Sequence, residues 1–251
     1  MKNLSTKFNS KTLIKTVYII NNKKNLAETV VTKKVSIVLP RFLSVMSMKE
    51  RIQQKAEELF RRYGIRSVTM DEIAGQLGIS KKTIYQFYAD KDALVKDIFK
   101  SITDHNKEKC IQIRSNSENA IHEQYLSSDV AQEIFANMNS SVLFDLNRFH
   151  PNVFADYEKH KKQFLFKMIK ENIVRGIKEG LFRKDIDVDI VTWLELEMVS
   201  GIFYNEEIVN GRTNAAHFEK EVKDFFLHGL CTDKGLSFIS KYKQQRQKRS
   251  A

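Results

Sequence analysis

The apolar positions of residues 47–99 fall into short helical stripes, each with its own start and stop signal. Ile52, Ala56, Leu59, Phe60 and Tyr63 recur at steps of three and four, one face of a helix of period ~3.6. Ser47 and Glu50 stand at capping-box spacing ahead of them, and Gly64 can take the left-handed conformation that ends a helix. Thr69 and Glu72 form a second box before Ile73, Ala74 and Leu77, and Gly78 stops that helix. Ser80 is an N-cap for a third helix over KKTIYQFY, so the intervening turn is about three residues long. Asp90 opens a fourth helix through Leu94, Val95, Ile98, Phe99 and Ile102. Two short capped helices joined by so tight a turn predict a helix-turn-helix, a unit that lays its second helix in the major groove of DNA.

The third helix divides by face. Ile84 and Tyr88, four apart, can pack on the first two helices, whereas Lys81, Lys82, Thr83, Tyr85 and Gln86 lie toward the open side. Lysine suits phosphate or guanine, and glutamine suits the edge of adenine. Threonine and tyrosine hydroxyls suit phosphate oxygens, which set register rather than sequence.

The run F60-x3-G64, T69-x3-I73-A74, G78-I79-S80-x2-T83-I84-Y85 and Y88-x2-K91-D92-x-L94 resembles the N-terminal domain of TetR-type transcriptional regulators. The resemblance places Thr69, Thr83, Tyr85 and Lys91 at positions that touch the DNA backbone. It places Lys81, Lys82 and Gln86 at positions that vary with operator sequence, and Ser80 at the head of the recognition helix. Phe87 and Tyr88 depart from the family, where His and Phe are common. Phe87 either meets a thymine methyl or packs.

Beyond residue 105 the stripes lengthen. A helix is expected over 117–126, with a break at Ser127–Ser128. Asp129 then caps a stretch through Val130, Ile134, Phe135, Met138, Val142, Leu143 and Leu146, which His150–Pro151 ends. A long helix follows over 152–179, with Phe164, Leu165, Met168, Ile169, Ile173 and Ile177 inside and Gly180 at its end. KEGLFRKDIDVD resembles the turn before the last two helices of TetR-type regulators, here 187–209 and 214–230. In that family the final pair forms a four-helix dimer interface. The candidate lining of a small-molecule pocket between the middle helices is Phe135, Met138, Phe144, Phe149, Tyr157, Phe164, Trp193 and Tyr204. No pattern of buried charge stands out there.

Charge sharpens this organisation. Of the net +11, residues 1–45 carry +8 and residues 241–251 carry +5, whereas residues 46–100 carry +3 and residues 101–240 carry −5. A basic head on an acidic body suits a protein that presents one end to DNA. Cys110 and Cys231 lie far apart, with no set of four ligands around them, and read as idle thiols rather than metal ligands. The run VYII is too short for a secretory signal, and no stretch reaches transmembrane length, so a cytoplasmic protein is expected. Phosphate loops, GxSxG elbows, HExxH and paired Cys/His motifs are absent from the sequence, so neither an enzyme nor a cofactor is expected.

Residues 1–45 are basic and lack helical periodicity, and VVTKKVSIVLP is an isolated β-prone run. They read either as a disordered basic arm or as upstream sequence ahead of a start at Met46 or Met48. A chain starting at Met46 is expected to keep its melting transition and its operator binding. A collapse of that transition contradicts this, and a loss confined to low-salt nonspecific binding identifies the arm.

The expected protein is therefore all-α. Residues 1–45 are an extension, 46–104 a helix-turn-helix DNA-binding domain, 105–240 a helical ligand-binding and dimerisation domain, and 241–251 a basic tail. By resemblance it is a homodimeric repressor of a palindromic double-stranded operator, released by a small-molecule effector and independent of membranes. The alternatives are a regulator controlled by a protein partner and a DNA-targeted enzyme.

Overall fold

The starts and stops read in the head mark helix ends in the computed structural model, which describes residues 46–136, 139, 141–202 and 213–250. Helix α1 (Met48–Tyr63) buries Ile52, Ala56, Leu59 and Phe60. Tyr63, expected on that face, is instead 47% exposed under the Arg62 guanidinium. Gly64 ends the helix at φ +82°, and a Cβ there would lie 2.6 Å from Ser141 Oγ. Helix α2 (Met70–Leu77) begins where the Thr69 hydroxyl accepts from Glu72 N and ends at Gly78, φ +66°. Helix α3 (Lys81–Tyr85) begins where Ser80 Oγ accepts from Thr83 N. It is shorter than KKTIYQFY: the chain leaves the regular helix after Tyr85 in a turn where Phe87 N and Tyr88 N both donate to Ile84 O, and Tyr88 is buried in the core. Asp90 caps α4 (Lys91–Asn116) by accepting from Ala93 N.

The later chain forms α5 (Ala120–Ala136), α6 (Val142–Phe149) and α7 (Pro151–His160), then a π turn (Lys161–Leu165), then α8 (Phe166–Lys178), α9 (Val188–Gly201), α10 (Ala215–Leu230) and α11 (Asp233–Ser250). Among the described residues the only extended pairing is a single bridge, Phe182 to Cys231.

Several expectations change. The break at Ser127–Ser128 does not occur. Ser128 is buried, and its hydroxyl donates to Glu219 Oε2 at 2.9 Å, so α5 runs on and Asp129 lies mid-helix beside Arg246. The long helix over 152–179 is continuous from Pro151 to Lys178 but is interrupted by the π turn. It ends at Gly180, φ +69°, where Leu181 N donates to Gly176 O, and Gly176 lies against the ring of fully buried Phe182, where a Cβ would come within 2.0 Å. Residues 241–250, expected as a tail, continue α11. Tyr242 is buried there, its hydroxyl accepting from Asn119 Nδ2 (2.8 Å) and donating to Glu118 (3.0 Å), with its ring stacked on His122. Phe203 to Arg212, the last part of the expected helix 187–209 among them, lie outside the described residues, as does VVTKKVSIVLP.

Two cores result. Ile52, Phe60, Ile73, Ile84, Leu94 and Ile98 of the head pack with Leu143, Leu146 and Val153 of the body. Ile121, Phe182, Leu227, Leu230 and Ile239 form the second. Burying a side chain such as Ile84 contributes about 1.5–3 kcal/mol. Sharing the first core with α6 and α7 therefore ties the small head to the body.

Candidate nucleic-acid interface and the body behind it

Helix α3 is held from beneath and open above. Ile84 is fully buried, and Tyr88 donates its hydroxyl to Asp97 Oδ2 at 2.9 Å. Lys49 approaches the same carboxylate at 2.9 Å. Burial pushes the Asp97 carboxyl up, but the Lys49 and Tyr88 hydrogen bonds outweigh it and hold the group below its ordinary range. Burial, with that hydrogen bond, pushes the Tyr88 phenol well up. This anchoring leaves Lys81, Lys82, Tyr85, Gln86 and Phe87 exposed on one surface, with Thr69 and Ser80 at the starts of α2 and α3. Phe87 is 41% exposed on this surface. The Thr69 hydroxyl accepts from a backbone amide, which leaves its proton for another acceptor. Ser80 and Thr83 hydroxyls lie 2.9 Å apart, and Thr83 is half-buried.

Two lysines differ in situation. Lys81 reaches Asp71 at 2.6 Å across the helix-turn-helix, and that hydrogen bond raises its pKa. The pair is exposed, so exchanging it for another anion costs little. Lys91 turns inward. Its Nζ donates to Ile65 O and Val68 O, both at 2.6 Å, and burial lowers its pKa. It clamps the loop between α1 and α2, and only its third donor is left for a phosphate.

The head meets the body at a polar joint. Arg66 N donates to Asp145 Oδ2 (2.8 Å) and Asn139 N to Arg61 O (2.8 Å). Buried His150 has Nδ1 2.6 Å from Asp92 Oδ1, at the start of α4, a close approach without hydrogen-bond geometry. The Arg66 guanidinium lies 5.2 Å from the centre of the Phe149 ring. Asp145 and His150 belong to α6 and the turn after it, so this joint connects the loop before α2, the first turn of α4 and the body.

Among the described residues, the aromatics expected to line a pocket are not brought together. Phe144, Phe149 and Trp193 are 61%, 40% and 43% exposed, because Leu143, Leu146 and Leu196 take the inward positions of their helices. Tyr157 packs against the head core, and Phe164 stacks on His160. The Phe135 side chain, Met138 and Tyr204 lie outside the described residues.

The body instead buries charge, contrary to the sequence reading. Lys223 Nζ lies 2.7 Å from Glu195 Oε1 and 2.9 Å from Gln124 Oε1. Gln124 Nε2 donates to Asn172 Oδ1 (2.9 Å) and to Glu195 Oε2 (3.2 Å). One step along, Ser128 Oγ and Gln132 Nε2 donate to Glu219 Oε2, at 2.9 and 3.0 Å, while Glu219 Oε1 has no hydrogen-bond partner among the described residues. Gln124, Ser128 and Gln132 repeat every four residues on α5 and face Glu219 and Lys223, four apart on α10. The seam therefore fixes one register between these helices. The spacing of Glu219 and Lys223 beside Phe226 and Leu227 was the available signal in the sequence.

Helices α9 and α10 expose large apolar side chains. Ile190, Trp193 and Leu194 on α9 and Phe225 on α10 are exposed, Phe225 by 83%. Burial pushes the Cys231 thiol up to about 12 and raises that of Cys110, so neither is a ready thiolate. Among the described residues no helix is long and apolar enough to cross a membrane.

Residues 52–98 match the family model for bacterial regulatory proteins of the tetR family. The HTH-type transcriptional repressor KstR2 of Mycobacterium tuberculosis is 23% identical over 150 residues, 59% of this chain and 75% of that protein. The structure of that ketosteroid regulator superposes with a TM-score of 0.53 at 21% identity, covering 75% of this chain and 97% of the other. The regulator FadR of Bacillus subtilis, solved in complex with stearoyl-CoA, has a TM-score of 0.54 at 15% identity, covering 72% and 98%. At these identities the structural likenesses show a shared fold.

Proposed function

We propose that this chain, which belongs to the TetR family of transcriptional regulators, acts in the cytoplasm as a dimeric repressor whose grip on a palindromic operator is released by a small molecule bound in its body. The observation that carries this reading is the exposed surface of Lys81, Lys82, Tyr85 and Gln86 on a recognition helix whose opposite side is anchored by Ile84 and Tyr88.

One recognition helix reads only a half-site, so specificity calls for two heads at a set spacing, about one turn of DNA or a multiple of it. The exposed Ile190, Trp193, Leu194 and Phe225 supply an apolar face suited to a second copy. Effector binding shifts the population toward a head spacing that no longer spans successive major grooves. The contacts of Asp145 with Arg66 and of His150 with Asp92 are the mechanical link from the body to the head. KstR2 being a repressor supports the sign of regulation, and FadR carrying stearoyl-CoA supports a small-molecule effector.

Selection of duplexes from a random pool by the full chain tests the proposal. An enriched palindrome is expected. A pool that stays random under salt conditions that suppress nonspecific binding overturns it. In the same assay Gln86→Ala relaxes one base position, at a cost of about 1–3 kcal/mol of discrimination. Tyr85→Phe weakens every sequence alike. Lys91→Ala also lowers the melting temperature, because it frees the carbonyls of Ile65 and Val68. A changed base preference for Tyr85→Phe with none for Gln86→Ala reverses the roles.

A further inference from the structure

Helix α8 borders a groove of about 810 Å³, within the size range of small-molecule sites. Among the described residues, none of the aromatics expected from the sequence lines it. Its apolar wall is Phe166 and Val174, and behind Phe166 lies Trp193, with ring centres 4.6 Å apart. The charged lining is one-sided: Arg114 of α4 with Lys167, Lys170, Arg175 and Lys178, against Glu171 and Glu179 alone.

The acids are already engaged. Glu171 pairs with Arg114, and Glu179 with Arg175 at 2.7 Å. Arg175 also meets Glu123 at 3.0 Å, and Lys170 meets Asp189 at 2.5 Å. Lys167 and Lys178 are exposed and form no ion pair among the described residues. They stand on one helix, ~16 Å apart along its axis, with Val174 between them. An apolar wall flanked by unneutralised ammonium groups favours a ligand with an apolar chain and an anionic end: the chain covers Phe166 and Val174, and the charge reaches a lysine on the rim. A neutral apolar ligand leaves the rim charges unused, and a bare anion leaves the wall wet.

We infer that this groove seats the effector, and that the effector is an anionic amphiphile, a phosphate or carboxylate on an apolar chain. This rests on the reading of the chain as a ligand-released regulator. It adds the place, on α8 and α4, and the chemical class.

The test uses the full chain and its selected operator. Trp193 is the sole tryptophan and touches the groove wall, so its emission reports occupancy once sedimentation shows the assembly unchanged. Octyl phosphate and octanoate are titrated separately, with octanol and inorganic phosphate as neutral and tail-less controls. At least one of the first two is expected to change Trp193 emission and to weaken operator binding tenfold or more, and which one does so identifies the head group. Lys167→Glu/Lys178→Glu is expected to melt at the wild-type temperature while both responses weaken at least tenfold. Either control acting as strongly, or an unaltered response in the double variant, overturns the assignment. Emission changes without operator release overturn the effector role. Failure of the unliganded chain to bind any operator overturns the regulator reading and the effector role with it, whereas intact operator binding without a Trp193 response overturns the groove alone.

Discussion

Phe225→Glu yields a folded monomer whose operator affinity falls toward the nonspecific level, whereas Phe226→Glu does not fold. The two residues are neighbours on α10 with opposite surroundings: Phe225 is 83% exposed and Phe226 is 7% exposed in the second core. A stable interface built on Phe225, Ile190, Trp193 and Leu194 buries on the order of 2,000 Å². A carboxylate placed inside it loses its water without gaining a partner, at a cost of several kcal/mol (about 3–5). In the protomer alone Phe225 touches solvent, so its replacement spares the fold. At Phe226 the same substitution both empties a packed site and buries an ion, which costs at least ~3–5 kcal/mol, much of a domain's total stability. Sedimentation reports the mass, circular dichroism the fold and an operator titration the affinity. A Phe225→Glu protein that stays dimeric with native affinity moves the interface elsewhere.

Lys223→Met costs about 3–5 kcal/mol of stability, because it leaves a buried carboxylate without its cation. The partner is Glu195, 2.7 Å away, with Gln124 losing a donor as well. Adding Glu195→Gln recovers most of the loss, since the neutral amide no longer requires a counter-charge. Urea unfolding of the two single variants and the double variant measures the coupling. Equal losses for Lys223→Met and the double variant show that the seam acts through packing and not through the ion pair.

The head was legible because its signals are local. Thr69, Gly78, Ser80 and Asp90 cap or stop their helices through contacts within a few residues, and a reader of sequence sees such contacts directly. The body was legible only in part. Pro151 and Gly180 punctuate it as expected, but Ser127–Ser128 reads as a break only until Glu219, ninety-one positions on, supplies a partner for the Ser128 hydroxyl. The pair Lys223–Glu195 is equally non-local. Exposed Phe144 shows the complementary limit: an aromatic residue on a helix does not say which way it points, and its leucine neighbours already fill the inside. Helix α11 was missed because its basic residues obscured the buried pair Ile239 and Tyr242.

The central claim is sequence-specific DNA binding through α3. The measurement that tests it most directly is the ratio of affinities of the full chain for its selected operator and for a scrambled duplex of equal length, followed across salt. A specific regulator shows a ratio of about 10³ or more at physiological salt, held while both affinities decline. A ratio near one at every salt concentration contradicts the account and reduces the head to a nonspecific basic surface.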